Sequence, residues 1–194
     1  MSVYLTKRIP VGGGLGGGSS NAAAFLIGIN KLYGLKISLK ELMKIGKELG
    51  ADIPFFISGA RHAVGQGIGD RIRPVPFKKR LWFVLLTSSK GLSTRKVYEG
   101  FRLSHRQPVL TRLNRDVTIN RALTNDLTQS AERLQPSLKK IRENVSGLHL
   151  GTCRMSGSGP TLFFIYPNRR QAIHALRKLR THGFSKSAVL CHSY

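Results

Sequence analysis

The chain opens on a glycine-rich stretch and then settles into a helical rhythm. From Ser20 to Tyr33 the run Asn21-Ala22-Ala23-Ala24 is followed by Leu26, Ile29, Asn30 and Tyr33 at helical spacing, and Gly34 closes it. A second helix is marked at both ends. Ser38 and Glu41 have the spacing of a capping box, Leu39, Leu42, Met43, Gly46 and Leu49 share a face, and Gly50 stops it. Asp52-Ile53-Pro54-Phe55-Phe56 predicts a short helical turn, with an extended stretch following around His62–Gly65. Leu81–Leu86 is a continuous apolar run of strand length, as a buried strand requires.

Ser93 is placed to cap a helix through Val97, Tyr98 and Phe101. Gln107–Asp116 is polar and turn-prone, and a long loop or domain boundary is expected there. Helices are expected over much of Asn120–Asn144, with Pro136 starting a fresh one. The last fifty residues alternate more tightly. Leu148–Met155 reads as a strand, Ser156–Pro160 as a tight turn, Thr161–Tyr166 as a strand, Asn168–His182 as a capped helix and Ser187–Cys191 as a strand. Two strands, a helix and a strand after a preceding helix fit a split βαβ layer of ferredoxin-like kind, so the fold class is α+β.

The glycine stretch carries the chemistry. Gly12, Gly13, Gly14, Gly16, Gly17 and Gly18 lead directly into a helix, and a flexible linker rarely does so. Glycine admits positive φ and a close approach of ligand to the peptide plane, while a helix start offers free N–H groups to a phosphate. Substituting Gly17 or Gly18 by a β-branched residue is expected to strain the loop and weaken nucleotide binding. Three familiar phosphate loops do not fit. A Walker A loop needs a lysine after its last glycine, and Gly18 is followed by Ser19. Gly12, Gly14 and Gly17 meet the Rossmann spacing, but no carboxylate occurs before Glu41. The His-Arg-Asp and Asp-Phe-Gly blocks of protein kinases do not occur.

Pro10-Val11-Gly12-Gly13-Gly14-Leu15-Gly16-Gly17-Gly18-Ser19-Ser20-Asn21-Ala22 resembles the ATP block of the GHMP small-molecule kinases. Leu49–Phe56 resembles the family's segment with the catalytic aspartate, Met155–Phe163 its third glycine block, and Asn125-Asp126-Leu127 a short signature. The resemblance implies an S5-like αβ domain over residues 1–106 and a ferredoxin-like domain over 107–194. It implies ATP as phosphate donor, held by Pro10 to Ser20, with Ser19 or Ser20 helping to position Mg²⁺. Asp52 would accept or orient the acceptor hydroxyl's proton, although as a residue it could equally cap the turn before Pro54. Gly157, Ser158 and Gly159 would form a second backbone wall or a plain hairpin turn. Tyr98 would stack on a cytosine or belong to the core, and Asn21 sits where substrate contact is expected. Within the family, the triple-glycine repeat and the Gly-Ala-Asp-x-Pro-Phe block point to one branch. Its acceptor is the 2-hydroxyl of 4-diphosphocytidyl-2-C-methyl-D-erythritol in the non-mevalonate isoprenoid pathway. The family's Pro-x-Lys-x-Asn and Gly-Tyr-His blocks do not occur in this sequence. Roughly a third of a typical member is therefore expected to be absent, leaving an apolar helix face open to aggregation or to a homodimer. A catalytically inactive remnant is the matching alternative.

Charge changes the picture only in part. Thirty-two Lys and Arg against nine Asp and Glu give +23, which raises nucleic-acid binding as a second alternative. The basic residues are scattered over helices (Arg169-Arg170, Arg177-Lys178, Arg180) and loops (Lys78-Lys79-Arg80). A basic surface on an enzyme of polyanionic ligands is the simpler reading, with non-specific nucleic-acid binding expected at low salt. No apolar run reaches a bilayer's thickness and no secretory h-region opens the chain, so a cytoplasmic protein is expected. Cys153 and Cys191 are expected as reduced, buried thiols, and the histidines show no metal-ligand spacing.

Overall fold

The computed structural model describes residues 1–76, 79–102 and 124–193. They form two compact units, one of Met1–Leu15 with Arg80–Ser193, the other of Gly16–Lys79. The expected boundary at 106/107 lies outside the described residues. The compact units divide at Arg80, ahead of a central strand of the C-terminal sheet.

In the Gly16–Lys79 unit, α1 spans Gly17–Leu32, α2 Leu39–Leu49 and α3 Ile53–Ile57. The capping box of α2 forms as the sequence predicts: the Glu41 N–H donates to the Ser38 hydroxyl, and the Ser38 N–H donates back to the Glu41 carboxylate. Ala23, Leu42, Ile53 and Ile57 make a small core. Gly46 is glycine because α3 lies close: a Cβ there would meet Ile57 Cδ1 at 2.7 Å and Ile53 Cγ2 at 2.8 Å. The expected α2 face is only half used, since Leu39 and Leu49 stay exposed. α1 buries Ala23 alone and leaves Phe25, Ile27 and Leu32 exposed, as is Tyr33 at its C-cap. A hairpin completes the unit: β1 (Ala63–Gln66) pairs antiparallel with β2 (Arg71–Pro74). Lys47 and Asp70 form a 2.6 Å ion pair, and the Lys47 hydrogen bond holds the Asp70 carboxyl below its usual range.

The other unit is built on a four-stranded antiparallel sheet in the order β4-β5-β3-β6, with β3 Trp82–Leu86, β4 Arg154–Met155, β5 Leu162–Tyr166 and β6 Ala188–His192. Chain order runs strand, helices, strand, strand, helix, strand, which is the split βαβ arrangement. β3 pairs with β5 through Val84↔Phe164 and with β6 through Val84↔Leu190. Four helices complete the unit among the described residues: α4 (Thr94–Glu99), α5 (Thr128–Leu134), α6 (Pro136–Ser146) and α7 (Arg169–Leu179). Asn168 caps α7 by accepting from the Gln171 N–H. The core gathers Val84, Val97, Leu138, Val145, Leu162, Phe164 and Leu179, each at or below 2% exposure. Burying a side chain of this size contributes about 1.5–3 kcal/mol. The expected strand over Leu148–Met155 shortens to its last two residues. Positive φ at His149 and Gly151 takes the preceding stretch out of extended geometry. The expected helix starting near Asn120 and the loop Gln107–Asp116 lie outside the described residues, save for the helical part from Thr128 onward.

Candidate functional site

The glycine loop is not uniform. Gly12, Gly14 and Gly16 take positive φ (67°, 70° and 65°), while Gly13, Gly17 and Gly18 do not. The alternation turns successive carbonyls toward the protein. The Leu92 N–H donates to the Gly12 carbonyl at 3.1 Å, the Thr161 N–H to Gly13 at 3.3 Å, and the Ser156 hydroxyl to Gly14 at 2.8 Å. Among the described residues no hydrogen bond uses the N–H groups of residues 12–19; the first to find a partner is Ser20, which donates to the Gly16 carbonyl. At the start of α1, residues 16–19 thus offer open backbone donors, the arrangement an anion seeks.

Packing fixes this path. A Cβ on Gly14 would overlap the Ser156 carbonyl oxygen and lie 2.8 Å from both N and O of Gly159. On Gly12 it would meet Gly91 Cα at 3.2 Å. Pro10 closes the loop's entry by its carbonyl, which would lie 3.1 Å from a Cβ on Gly13; Val11 is exposed, and Leu15 is half-buried. Gly17 and Gly18 behave otherwise. Both lie inside α1 at ordinary φ, and a Cβ on Gly18 would meet nothing within 4 Å. The expected backbone strain at these two positions is therefore absent, because the helix has already begun there. The strain resides at Gly12, Gly14 and Gly16.

The two serines of the helix start separate. The Ser20 hydroxyl donates to the Gly17 carbonyl at 3.1 Å, whereas the Ser19 hydroxyl has no partner among the described residues. Asn21 is half-buried on α1, with no side-chain hydrogen bond among the described residues. In the same unit the aspartate block packs on this start. The Phe56 ring covers Gly16, where a Cβ would meet it at 2.8 Å. Asp52 occupies the N-cap position of α3, yet its carboxylate makes no capping hydrogen bond and is exposed.

Around the third glycine block, Gly157 and Gly159 take positive φ, and the Gly159 N–H returns to the Ser156 carbonyl. Ser158 is buried, and its hydroxyl lies 2.9 Å from that of Thr94 at the start of α4. Thr161 is fully buried with its Oγ1 unpartnered, 3.3 Å from where a Gly13 Cβ would sit. The block is therefore a turn and a wall at once, its backbone packed on the first half of the loop. Asn125 holds it from outside. Its amide donates to the Met155 carbonyl at 2.8 Å and to Gly157 at 2.7 Å, while its Oδ1 accepts from the Leu127 N–H. The Asn-Asp-Leu signature flags this residue in the sequence, but nothing local reveals its partners. Asn125→Asp keeps the acceptor and removes both donor bonds, so we expect it to destabilise the chain by about 1–3 kcal/mol. A melting temperature within about 1 °C of wild type would show that Asn125 does not hold the block.

Tyr98 is 60% exposed, and its neighbour Val97 supplies the core contact of α4. The core alternative for the tyrosine is thereby removed. The cysteines are free and half-buried rather than buried. Burial pushes the Cys153 thiol up to about 12 and raises Cys191 as well. At pH 8 the native protein should therefore resist iodoacetamide at Cys153, with modification appearing in mass spectra only after denaturation. Rapid native labelling at that site would contradict the burial. No cluster of three or more His, Cys, Asp or Glu able to hold a metal occurs among the described residues. No described helix is long and apolar enough to cross a membrane.

Comparison with known proteins gives this geometry a lineage. Residues 1–60 match the GHMP kinases N terminal domain and residues 105–184 the GHMP kinases C terminal family. The chain is 36% identical over 194 residues to the 4-diphosphocytidyl-2-C-methyl-D-erythritol kinase of Geobacter sp. (strain M21), covering 97% of this chain and 69% of that protein. The chain belongs to the GHMP kinase family. The enzyme of the same name from Syntrophus aciditrophicus is 39% identical over 179 residues, and the chain spans 64% of its length. A crystal structure of 4-(cytidine 5'-diphospho)-2C-methyl-D-erythritol kinase superposes with a TM-score of 0.74 at 31% identity, covering 96% of this chain and 68% of the other. A homoserine kinase from Cytophaga hutchinsonii, at 18% identity and TM-score 0.68, shares the fold. The GHMP family glycine loop, aspartate block and third block thus correspond to the three segments whose packing is described above.

Proposed function

We propose that the chain is the ATP-binding part of a kinase that phosphorylates the 2-hydroxyl of 4-diphosphocytidyl-2-C-methyl-D-erythritol, a cytoplasmic step of isoprenoid synthesis. One observation carries the reading: the N–H groups of residues 16–19 at the start of α1 make no hydrogen bond among the described residues and are left for an anion, while the carbonyls of Gly12, Gly13 and Gly14 are engaged within their own unit. Relatives that share this segment at 35–39% identity bear that enzyme's name.

The residues fit the roles this reaction requires. Loop amides and the α1 start bind the β- and γ-phosphates. The unengaged Ser19 hydroxyl fits Mg²⁺ that arrives with ATP, since that ion keeps several waters and needs few protein ligands. When bound, Mg²⁺ would neutralise charge on the transferring phosphate. Asp52, exposed and without a capping bond, is free to take or orient the proton of the acceptor hydroxyl. Exposed Tyr98 offers a ring face to a cytosine, and the Gly157–Gly159 backbone keeps the loop in its nucleotide-ready path.

The test is ADP release by the purified chain with Mg²⁺-ATP, in the presence and absence of the cytidine-diphospho alcohol. Release that depends on the alcohol supports the assignment. ATP binding without alcohol-dependent release would limit the chain to nucleotide binding, and absence of ATP binding would refute the reading of the loop.

A further inference from the structure

The C-terminal helix carries a charge for which the kinase chemistry has no use. After Glu143 the sequence holds seven Lys and Arg residues (Arg154, Arg169, Arg170, Arg177, Lys178, Arg180 and Lys186) and no Asp or Glu. Five of the seven lie on α7 and the turn that continues it. The apolar side of α7, formed by Ala172, Ala175, Leu176 and Leu179, is buried against the core. Its opposite side therefore presents Arg169, Arg170, His174 and Arg177 to solvent, around a shallow groove floored by half-buried Ile173. Arg170, Ile173, His174, Arg177 and Arg180 recur at helical spacing and form one stripe. At 1.5 Å rise per residue the stripe runs about 10 Å from Arg170 to Arg177.

Two further observations bear on what such a stripe meets. The four ion pairs among the described residues are Lys47–Asp70, Arg95–Glu99, Lys139–Glu143 and Arg142–Glu132, and none involves an α7 cation. Among the described residues the cations of this helix thus have no counter-charge. At the stripe's N-terminal end, Arg169 lies over the Trp82 ring at 5.9 Å, and Trp82 in turn packs on His192 at 4.9 Å. An aromatic pair fixes one guanidinium beside the groove, and arginine held this way is a common element of nucleic-acid surfaces. An anionic membrane would call for exposed apolar residues beside the cations, but those of α7 face the core.

We propose that the α7 face binds the phosphodiester backbone of single-stranded nucleic acid, without sequence readout and independently of the ATP loop. Each phosphate neutralised on a single strand contributes about −0.7 to the slope of log Kobs against log salt. The assay is fluorescence anisotropy of a labelled oligouridine across a KCl series with the full chain. Arg170→Gln/Arg177→Gln/Arg180→Gln should lower the magnitude of the slope by about 2 and weaken binding more than tenfold. Arg169 is left in place because it packs on Trp82.

The matched control, Lys40→Gln/Lys44→Gln/Lys140→Gln, removes the same charge from exposed positions on α2 and α6 and should weaken binding less than threefold. Arg177→Glu alone, a single exposed change, should act in the same direction as the arginine triple. Saturating Mg²⁺-ATP should leave wild-type binding unchanged. Equal losses in the two triple variants would mean a diffuse effect of net charge and would overturn the proposal. So would an unaffected arginine triple, displacement of the oligonucleotide by ATP, or binding confined to vesicles of anionic lipid.

Discussion

Gly14→Ala is expected to lower the melting temperature by roughly 6–12 °C, and Gly18→Ala, four residues along the same glycine run, to raise it by a few degrees. The contrast follows from geometry. Gly14 sits at φ 70°, where an L-residue costs about 1–2 kcal/mol. Its new Cβ would also run into the Ser156 carbonyl and into N and O of Gly159. All three obstacles are backbone, so no rotamer change relieves them, and the third block has to move away from the loop. The total is about 3 kcal/mol, which for a chain of this size is the shift given above. ATP affinity should fall with it, because the carbonyl of Gly14 loses its Ser156 partner and the neighbouring amides lose their aim. Gly18 is helical and faces open space. Alanine there reduces the freedom of the unfolded chain and raises helix propensity, for about 0.5–1 kcal/mol. Differential scanning fluorimetry of the two variants decides. Equal and small shifts would mean that the loop tolerates Cβ atoms throughout and that the alternating path is not enforced.

Some parts of the chain are legible in the sequence alone. The capping box at Ser38 and Glu41, the Asn168 cap and the apolar run of β3 are each encoded within a few residues, and each element forms where the pattern places it. β2 is invisible by the same criterion. Arg71–Pro74 is polar and mostly exposed, and it is a strand only because β1 supplies its ladder. The composition of residues 12–18 announces a phosphate loop but does not rank its glycines. That ranking depends on Ser156, Gly159 and Gly91, which are brought to the loop from far along the chain. Asn125 is similar: a short signature in the sequence, it acts on carbonyls 30 and 32 residues away. The division of the described residues at Arg80 is hidden for a related reason. An apolar strand does not say which sheet it joins, and β3 pairs with β5 and β6.

In the proposed kinase reaction, Asp52→Ala should lower phosphoryl transfer by a factor of about 10²–10⁴, while ATP affinity stays within threefold of wild type. The expectation is sharpened by what the carboxylate does not do. An aspartate that caps a helix typically costs about 1 kcal/mol when replaced by alanine. Asp52 holds the N-cap position of α3 but makes no capping bond, and it is exposed. Its removal should therefore leave the melting temperature unchanged to within about 1 °C. The two measurements separate the two roles. Loss of transfer at constant stability and constant ATP affinity assigns the residue to the reacting hydroxyl. A drop in stability with parallel losses in binding and turnover would make Asp52 a structural cap. Transfer equal to wild type would remove it from the mechanism and leave the acceptor's proton to solvent. Asp52→Asn adds a check on charge: it keeps the shape and the hydrogen-bonding reach, so a loss as deep as alanine's would show that the negative charge, rather than the side chain's position, is what the acceptor hydroxyl requires.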